Sequence, residues 1–193
     1  MFITIFFCIF VKKIKNMDNK NVIKKGKQLS FLLRHDTDYA FDEHGYRTID
    51  DLIENHNFTM DELMYIVETN DKQRYEFNDN KSKIRARQGH SINVNVDLKQ
   101  STPPDILMHG TATRFLDSIM DNGIKKMSRN YVQLSEDYDT AIEVAKRHGK
   151  PVILYINTKK MKEDGCVFYL SNNNVWLTDY VHQKYIIEQN FQW

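Results

Sequence analysis

Residues 75–91 read YEFNDNKSKIRARQGHS. Tyr75 to Phe77 is a run of strand formers, Asn78-Asp79-Asn80 is turn chemistry, and Lys83 to Arg87 carries the chain back, which predicts a hairpin. Side chains alternate across a strand, so Ile84 and Ala86 face one way and Arg85 and Arg87 the other. Upstream, Thr59 with Glu62 forms a capping box that opens a helix through Leu63, Ile66 and Val67. Thr48 with Asp51 opens another through Leu52 and Ile53; its signal is weaker, because the pattern wants Glu or Gln at the last position. From Val22 to Arg34 the residues Val22, Leu29, Leu32 and Leu33 fall on one helical stripe. Arg34 and His35 stand at its C-terminal end, where the helix dipole favours cations. Three helices followed by a hairpin is the order of a winged-helix module.

Downstream the texture changes. Asp97 to Asp105 contains Ser101, Thr102, Pro103 and Pro104, the best linker in the chain. Strands are expected at Ile106 to Met108, Tyr131 to Leu134, Pro151 to Ile156, Val167 to Leu170, Val175 to Leu177 and Tyr185 to Glu188. Thr113 to Asn122 reads as a helix stopped by Gly123, and Tyr138 to His148 as a helix stopped by Gly149. The class is α+β, in three parts: an apolar extension at 1–16, an N-terminal lobe at 17–98 and a C-terminal lobe at 99–193.

Bulk properties narrow the function. A net charge of +1 excludes a generally polycationic nucleic-acid binder, so any RNA binding requires a local patch. Between Asp18 and His90 there are 12 Lys+Arg against 14 Asp+Glu, so basic residues there act only if the fold clusters them. The two cysteines, Cys8 and Cys166, form no CxxC and no zinc spacing. That argues against structural zinc and a disulfide framework, and a reducing, cytoplasmic setting is expected. Residues 1–11 are strongly apolar, but a spanning helix needs about 20 such residues. No basic residue precedes the run and no small-residue cleavage site follows. The preferred reading is that translation starts at Met17; a short membrane-dipping tail is the alternative. No membrane association and no stable protein partner is expected, and a monomer is the default.

Four constellations carry chemistry: Leu32 to His35, Ile84 to Ser91, His109-Gly110-Thr111, and Ser128 to Ser135. Each alone has a plain reading. Arg34-His35 caps a helix, Arg85 and Arg87 are a solvated strand face, His109-Gly110-Thr111 is too short to mean anything, and Arg129 is a surface arginine. Together they suggest a phosphate site. Arginine presents a planar fork of donors that matches phosphate oxygens. A phosphomonoester carries close to two negative charges near neutral pH, and a histidine beside it can move a proton there.

With these residues in view, the sequence resembles the RNA 2′-phosphotransferase (KptA-like) family from about Lys24 to Glu188. The resemblance is carried by Leu29 to His35, Gly45-Tyr46, Ile84 to Ser91, His109-Gly110-Thr111, Ser128-Arg129, Leu134-Ser135, Arg147 to Val152 and Val175 to Thr178. It implies a winged-helix-like N-terminal lobe and a C-terminal lobe with an ADP-ribosyltransferase-like fold that binds NAD⁺ as co-substrate, with no metal. It also implies a two-step reaction on RNA bearing a 2′-phosphate, with spliced tRNA the expected case. The phosphate attacks the nicotinamide ribose and expels nicotinamide. The neighbouring ribose hydroxyl then attacks the phosphate, releasing ADP-ribose 1″,2″-cyclic phosphate. The family's catalytic Arg-His-Arg-Arg set falls on Arg34, His35, Arg85 and Arg129. His109, Gly110, Thr111, Gly123, Gln133 and Ser135 fall on its NAD⁺ site, with Gly110 expected to let backbone approach the cofactor.

There are departures. Gln133 stands where the family usually has His, near the nicotinamide end, so a slower first step is expected. Asn173-Asn174 replaces Asn-Gly, Ala145 replaces Gly, and His182-Gln183 replaces a Pro pair. Two other readings remain. One is an ADP-ribosyltransferase that caps terminal phosphates of RNA or DNA. The other is a non-enzymatic winged-helix nucleic-acid binder. A chain begun at Met17 is expected to fold and to keep full activity; loss of cooperative unfolding on that truncation would assign the first segment to the core.

Overall fold

The computed structural model describes residues 19–187, so the segment 1–16 and the expected strand end at Glu188 lie outside the described residues. The chain divides into two compact units, one ending at Asn95 and the other starting at Val96. Both mix helices and strands, as the α+β reading anticipates. Among the described residues no helix is long and apolar enough to cross a membrane.

In the first unit, helix α1 (Asn19–Leu32) buries Leu29 and Leu32, and Leu33 is buried just beyond its end. Strand β1 (Arg47–Thr48) leads into α2 (Ile49–His56), and α3 (Met60–Glu68) follows. Both predicted caps form. Thr59 and Glu62 make the full reciprocal box, whereas at Thr48 only one half forms, its side chain accepting from the Asp51 N–H. Asp51 does not complete its box because its carboxylate is taken by Arg47. The hairpin pairs β2 (Tyr75–Phe77) with β3 (Lys83–Ala86), and β1 lies on the other side of β3. Leu29, Leu33, Leu52, Leu63, Ile84 and Ala86 share one core beneath it.

Arg47 on β1 is fully buried, at 2% exposure. Its Nε donates to Asp51 at 2.5 Å, and its Nη1 to Asp36 at 2.6 Å and to the Leu32 carbonyl at 3.1 Å. Its Nη2 donates to His56 Nε2 at 2.6 Å, and its guanidinium lies 4.1 Å from the Tyr39 ring centroid. Burial alone would push the Asp36 carboxyl up, but the Arg47 hydrogen bond and charge win and hold it below its ordinary value. Asp51 is also lowered against its burial, first by the Asn55 hydrogen bond and then by the bond and charge of Arg47.

In the second unit, β5 (Ile106–Ala112) and β8 (Pro151–Asn157) pair along their whole length, with β12 (Ile186–Ile187) on the far side of β8. A second sheet has the order β4 (Lys99–Gln100), β9 (Tyr169–Leu170), β10 (Trp176–Thr178), β7 (Val132–Leu134). A bridge between Met108 and Ser135 joins the two sheets. β6 (Ile124–Lys125) pairs separately with β11 (Tyr180–Val181). Helix α4 (Leu116–Asn122) follows a 3₁₀ turn, α5 (Tyr138–Ala145) packs Ala141 and Ala145 on Ile153, and α6 is Thr158–Glu163.

Three sequence expectations are corrected here. The linker stretch contains strand β4, held because Lys99 and Gln100 find backbone partners in β9. The strand expected to end at Met108 continues to Ala112, because β8 offers a partner at every position. Helix α6 was not anticipated; Asn157 caps it by accepting from the Lys160 N–H.

Arg47→Met leaves the Asp36 and Asp51 carboxylates without their cation. A loss of about 3–5 kcal/mol is expected, read as a fall in the urea midpoint at pH 7. A change below about 1 kcal/mol, the ordinary size for a surface substitution, would show that the network is not what holds the unit.

Candidate active site

The first unit gathers three of the four predicted catalytic residues. The last turn of α1 closes with the Leu33 N–H on the Leu29 carbonyl and the His35 N–H on the Phe31 carbonyl, which throws Arg34 and His35 off the helix end. Arg34 is buried, its Nη1 donating to Ser30 Oγ at 2.8 Å and its guanidinium 5.8 Å from the Tyr75 ring. The Arg34 carbonyl, one of the acceptors a helix end leaves over, takes the Ser91 N–H at 3.0 Å. Ser91 Oγ also reaches that carbonyl, at 3.4 Å, and lies 2.9 Å from His35 Nδ1. With the serine hydroxyl donating to the carbonyl, His35 Nδ1 is the donor to Ser91, and the lone pair of the neutral ring sits on Nε2. Ser91 also borders a cavity of about 320 Å³ whose walls include Asp36, Tyr39, Phe41 and Asn93.

Arg85 is buried on β3 and aimed by its neighbours. Glu76, opposite on β2, accepts from Arg85 Nε at 2.7 Å and from Arg87 Nε at 3.0 Å. Arg85 Nη1 donates to the His44 carbonyl at 3.1 Å, and the guanidinium lies 4.6 Å from the Tyr46 ring. The strand alternation read from the sequence is therefore present, with both arginines on the Glu76 side. Glu76, Tyr46 and Ser91 were not foreseen as site residues. The signal for Ser91 was its place in the quoted motif; Glu76 gives none until the hairpin register is known.

His90 lies among these groups, and its role was also missed. It is 2% exposed, and its Nε2 makes no hydrogen bond. Burial first, then the charges of Arg34, His35 and Arg85, push its pKa down to about 4. The ring is therefore neutral at ordinary pH, beside two arginines and a histidine.

The second unit gathers Arg129 and the predicted cofactor residues. His109, Gly110 and Thr111 lie on β5. Burial first, with a contribution from the charge of His148, holds the His109 pKa below its ordinary value, only partly opposed by the Gln133 carbonyl. In the neutral ring Nδ1 donates to that carbonyl, at 3.0 Å, which leaves the lone pair on Nε2. A Cβ on Gly110 would collide with the Ala141 carbonyl, so the glycine is needed for α5 to pack on the strand. Thr111 is buried. Arg129 Nη1 donates to Gln133 Oε1 at 2.7 Å. Crowding by the protein first, then repulsion from Arg147, lower the Arg129 pKa from its ordinary value. Gly123 has φ 72°, and a Cβ there would meet Tyr180 and Val181, so it closes the chain onto β11. Ser135 Oγ donates to the Asp137 carbonyl at 3.0 Å in the turn before α5.

Buried arginines oriented by carboxylate and carbonyl acceptors, beside a histidine with a defined tautomer, are the equipment of a protein that handles a phosphate group. Among the described residues there is no cluster of three or more His, Cys, Asp or Glu that could hold a metal ion. Comparison makes the class specific. The chain belongs to the RNA 2'-phosphotransferase, Tpt1 / KptA family, whose model matches residues 20–180. It is 48% identical over 179 residues to a protein of Fusobacterium nucleatum, covering 88% of this chain and 99% of the relative. It is 45% identical over 177 residues to one of Flavobacterium johnsoniae (87% and 97%), and 45% over 170 residues to one of Acaryochloris marina (84% and 94%). Each of the three is called "Probable RNA 2'-phosphotransferase".

A histidine whose pKa falls on folding costs stability once the unfolded chain begins to take up its proton. The penalty is absent above pH 7, starts as pH falls through the unfolded value near 6.5, and is complete below about 4. Between pH 7 and pH 5 the His90 contribution amounts to about 2 kcal/mol. Urea unfolding of the parent and of His90→Gln at both pH values measures it; equal pH slopes would mean His90 is not held neutral.

Proposed function

We propose that this chain is an NAD-dependent RNA 2′-phosphotransferase that removes a 2′-phosphate from RNA, with the phosphate leaving as ADP-ribose 1″,2″-cyclic phosphate. Family membership supports the reaction class. The observation that carries the reading to this site is the gathering of Arg34, His35 and Arg85 around the uncharged His90. A phosphate dianion suits two guanidiniums, and a neutral fourth group leaves their number matched to its charge. We read the first unit as winged-helix-like, from its three helices and hairpin, and the second as ADP-ribosyltransferase-like.

The residues of the second unit fit a pyrophosphate-bearing dinucleotide. Arg129 and Arg147 supply positive charge, and neutral His109 presents a fixed lone pair. When bound, NAD⁺ supplies an electrophilic anomeric carbon with nicotinamide as leaving group. Arg34 and Arg85 hold the RNA phosphate by forked hydrogen bonds and aim one of its oxygens. The Nε2 lone pair of His35 takes the proton of the ribose hydroxyl when that hydroxyl attacks the phosphate. Arg129 belongs to the second unit, and the family resemblance assigns it to this second step. The cavity beside Ser91 leaves room next to His35 for a neighbouring nucleotide.

The test is a short RNA with one internal 2′-phosphate, incubated with and without NAD⁺ and followed by mass. Loss of the phosphate only with NAD⁺ is expected. Arg85→Ala is expected to slow turnover by roughly 10² to 10³ and to accumulate RNA heavier by ADP-ribose. Turnover of Arg85→Ala at the parent rate would overturn the assignment.

A further inference from the structure

Residue 133 is where two functional side chains of the second unit meet one piece of backbone. Gln133 is the middle residue of β7, paired with Leu177 of β10 on one side. On the other side the Met108–Ser135 bridge sets β7 against β5. That frame leaves the Gln133 carbonyl 3.0 Å from His109 Nδ1 and the Gln133 side-chain oxygen 2.7 Å from Arg129 Nη1. Arg129 itself follows β6 in a loop whose nearest backbone tie is the Arg129 N–H on the Lys126 carbonyl. A long side chain on a loop has many rotamers, and ordering one costs up to about 2 kcal/mol. A single charge-assisted bond to a residue fixed in a sheet offsets that cost.

We propose that Gln133 is the positioning residue of this site: its amide oxygen holds the Arg129 guanidinium in place, while its backbone carbonyl fixes the tautomer of His109. This rests on the phosphotransferase reading for its kinetic consequence, since Arg129 serves the second step there. The role assigned to Gln133 thus differs from a contact with the nicotinamide end. The side chain acts through Arg129 on the second step, and only the main chain acts on His109. An amide keeps its acceptor lone pair at every pH, and it carries no charge to compete with phosphate for the arginine. Arg147, the cation that presses on Arg129, cannot replace it, because a guanidinium accepts no hydrogen bond.

The experiment compares the full chain with Gln133→Leu, which keeps the bulk and removes the acceptor, and Gln133→Glu, which keeps the acceptor and adds charge. ¹⁵N NMR of the arginine guanidinium groups, assigned through Arg129→Lys, reads the tether without any substrate. Single-turnover assays with 2′-phosphorylated RNA and NAD⁺ read its consequence. In the parent and Gln133→Glu, slowed rotation at the Arg129 guanidinium is expected; in Gln133→Leu it is lost. Gln133→Leu is expected to slow the second step by about 10- to 100-fold, so that RNA heavier by ADP-ribose accumulates. The His109 tautomer should not change, because that bond uses the main chain. Gln133→Glu should keep the guanidinium ordered while its charge competes with phosphate for Arg129, so its second step is expected to fall between those of the parent and Gln133→Leu. Parent-like guanidinium rotation and product partition in Gln133→Leu would overturn the proposal. If Gln133→Leu fails to unfold cooperatively, free guanidinium rotation in Gln133→Glu overturns it instead. If the parent leaves the RNA untouched, the phosphotransferase reading fails, and the NMR comparison alone then decides the role of Gln133.

Discussion

The guanidinium of Arg47 reaches the Leu32 carbonyl at the end of α1, Asp36 in the turn beyond it, and Asp51 and His56 on α2. Those bonds tie the turn that carries Arg34 and His35 to the helix behind it. A buried cation must have its donors satisfied or it costs several kcal/mol, so the positions of Asp36, Asp51 and His56 are coupled rather than independent. The same bonds explain why Asp51 makes only half a capping box. A residue that looks from the sequence like a weak helix start is the partner of the buried arginine.

The candidate site of the first unit stands on this frame. Ser91 clasps the Arg34 carbonyl and the His35 ring, and Glu76 aims Arg85 from the opposite strand. Acidic residues near arginines are often read as neutralising them. Here Glu76 takes the Nε of both Arg85 and Arg87, and the bond orients the Arg85 fork. His90 shows the reverse economy: a group able to carry charge is kept uncharged by burial and by its cationic neighbours.

The second unit separates the reasons for its glycines from the reasons for its polar side chains. Gly110 answers to the α5 backbone and Gly123 to Tyr180 and Val181. These are packing demands, and they would exist whatever the site binds. His109, Arg129 and Gln133 answer to one another through two hydrogen bonds that nothing in the packing of the core requires.

Much of this protein was determined by local sequence. The Thr59–Glu62 box, the Asn78-Asp79-Asn80 turn, the alternation of Ile84 and Ala86 against Arg85 and Arg87, and the helix end at Arg34-His35 follow from short-range chemistry that acts over a few residues. The family was legible for a related reason, since its motifs are short strings in a fixed order. Tertiary structure alone decided the rest. Strand β5 runs on to Ala112 because β8 meets it there, and Lys99–Gln100 becomes a strand because β9 does. Burial of Arg47, neutrality of His90 and the meeting of Arg129 with Gln133 depend on which distant side chains the fold brings within a few ångströms. Charge and hydrogen-bond energies depend on distance and dielectric, and neither is written in the order of residues along the chain.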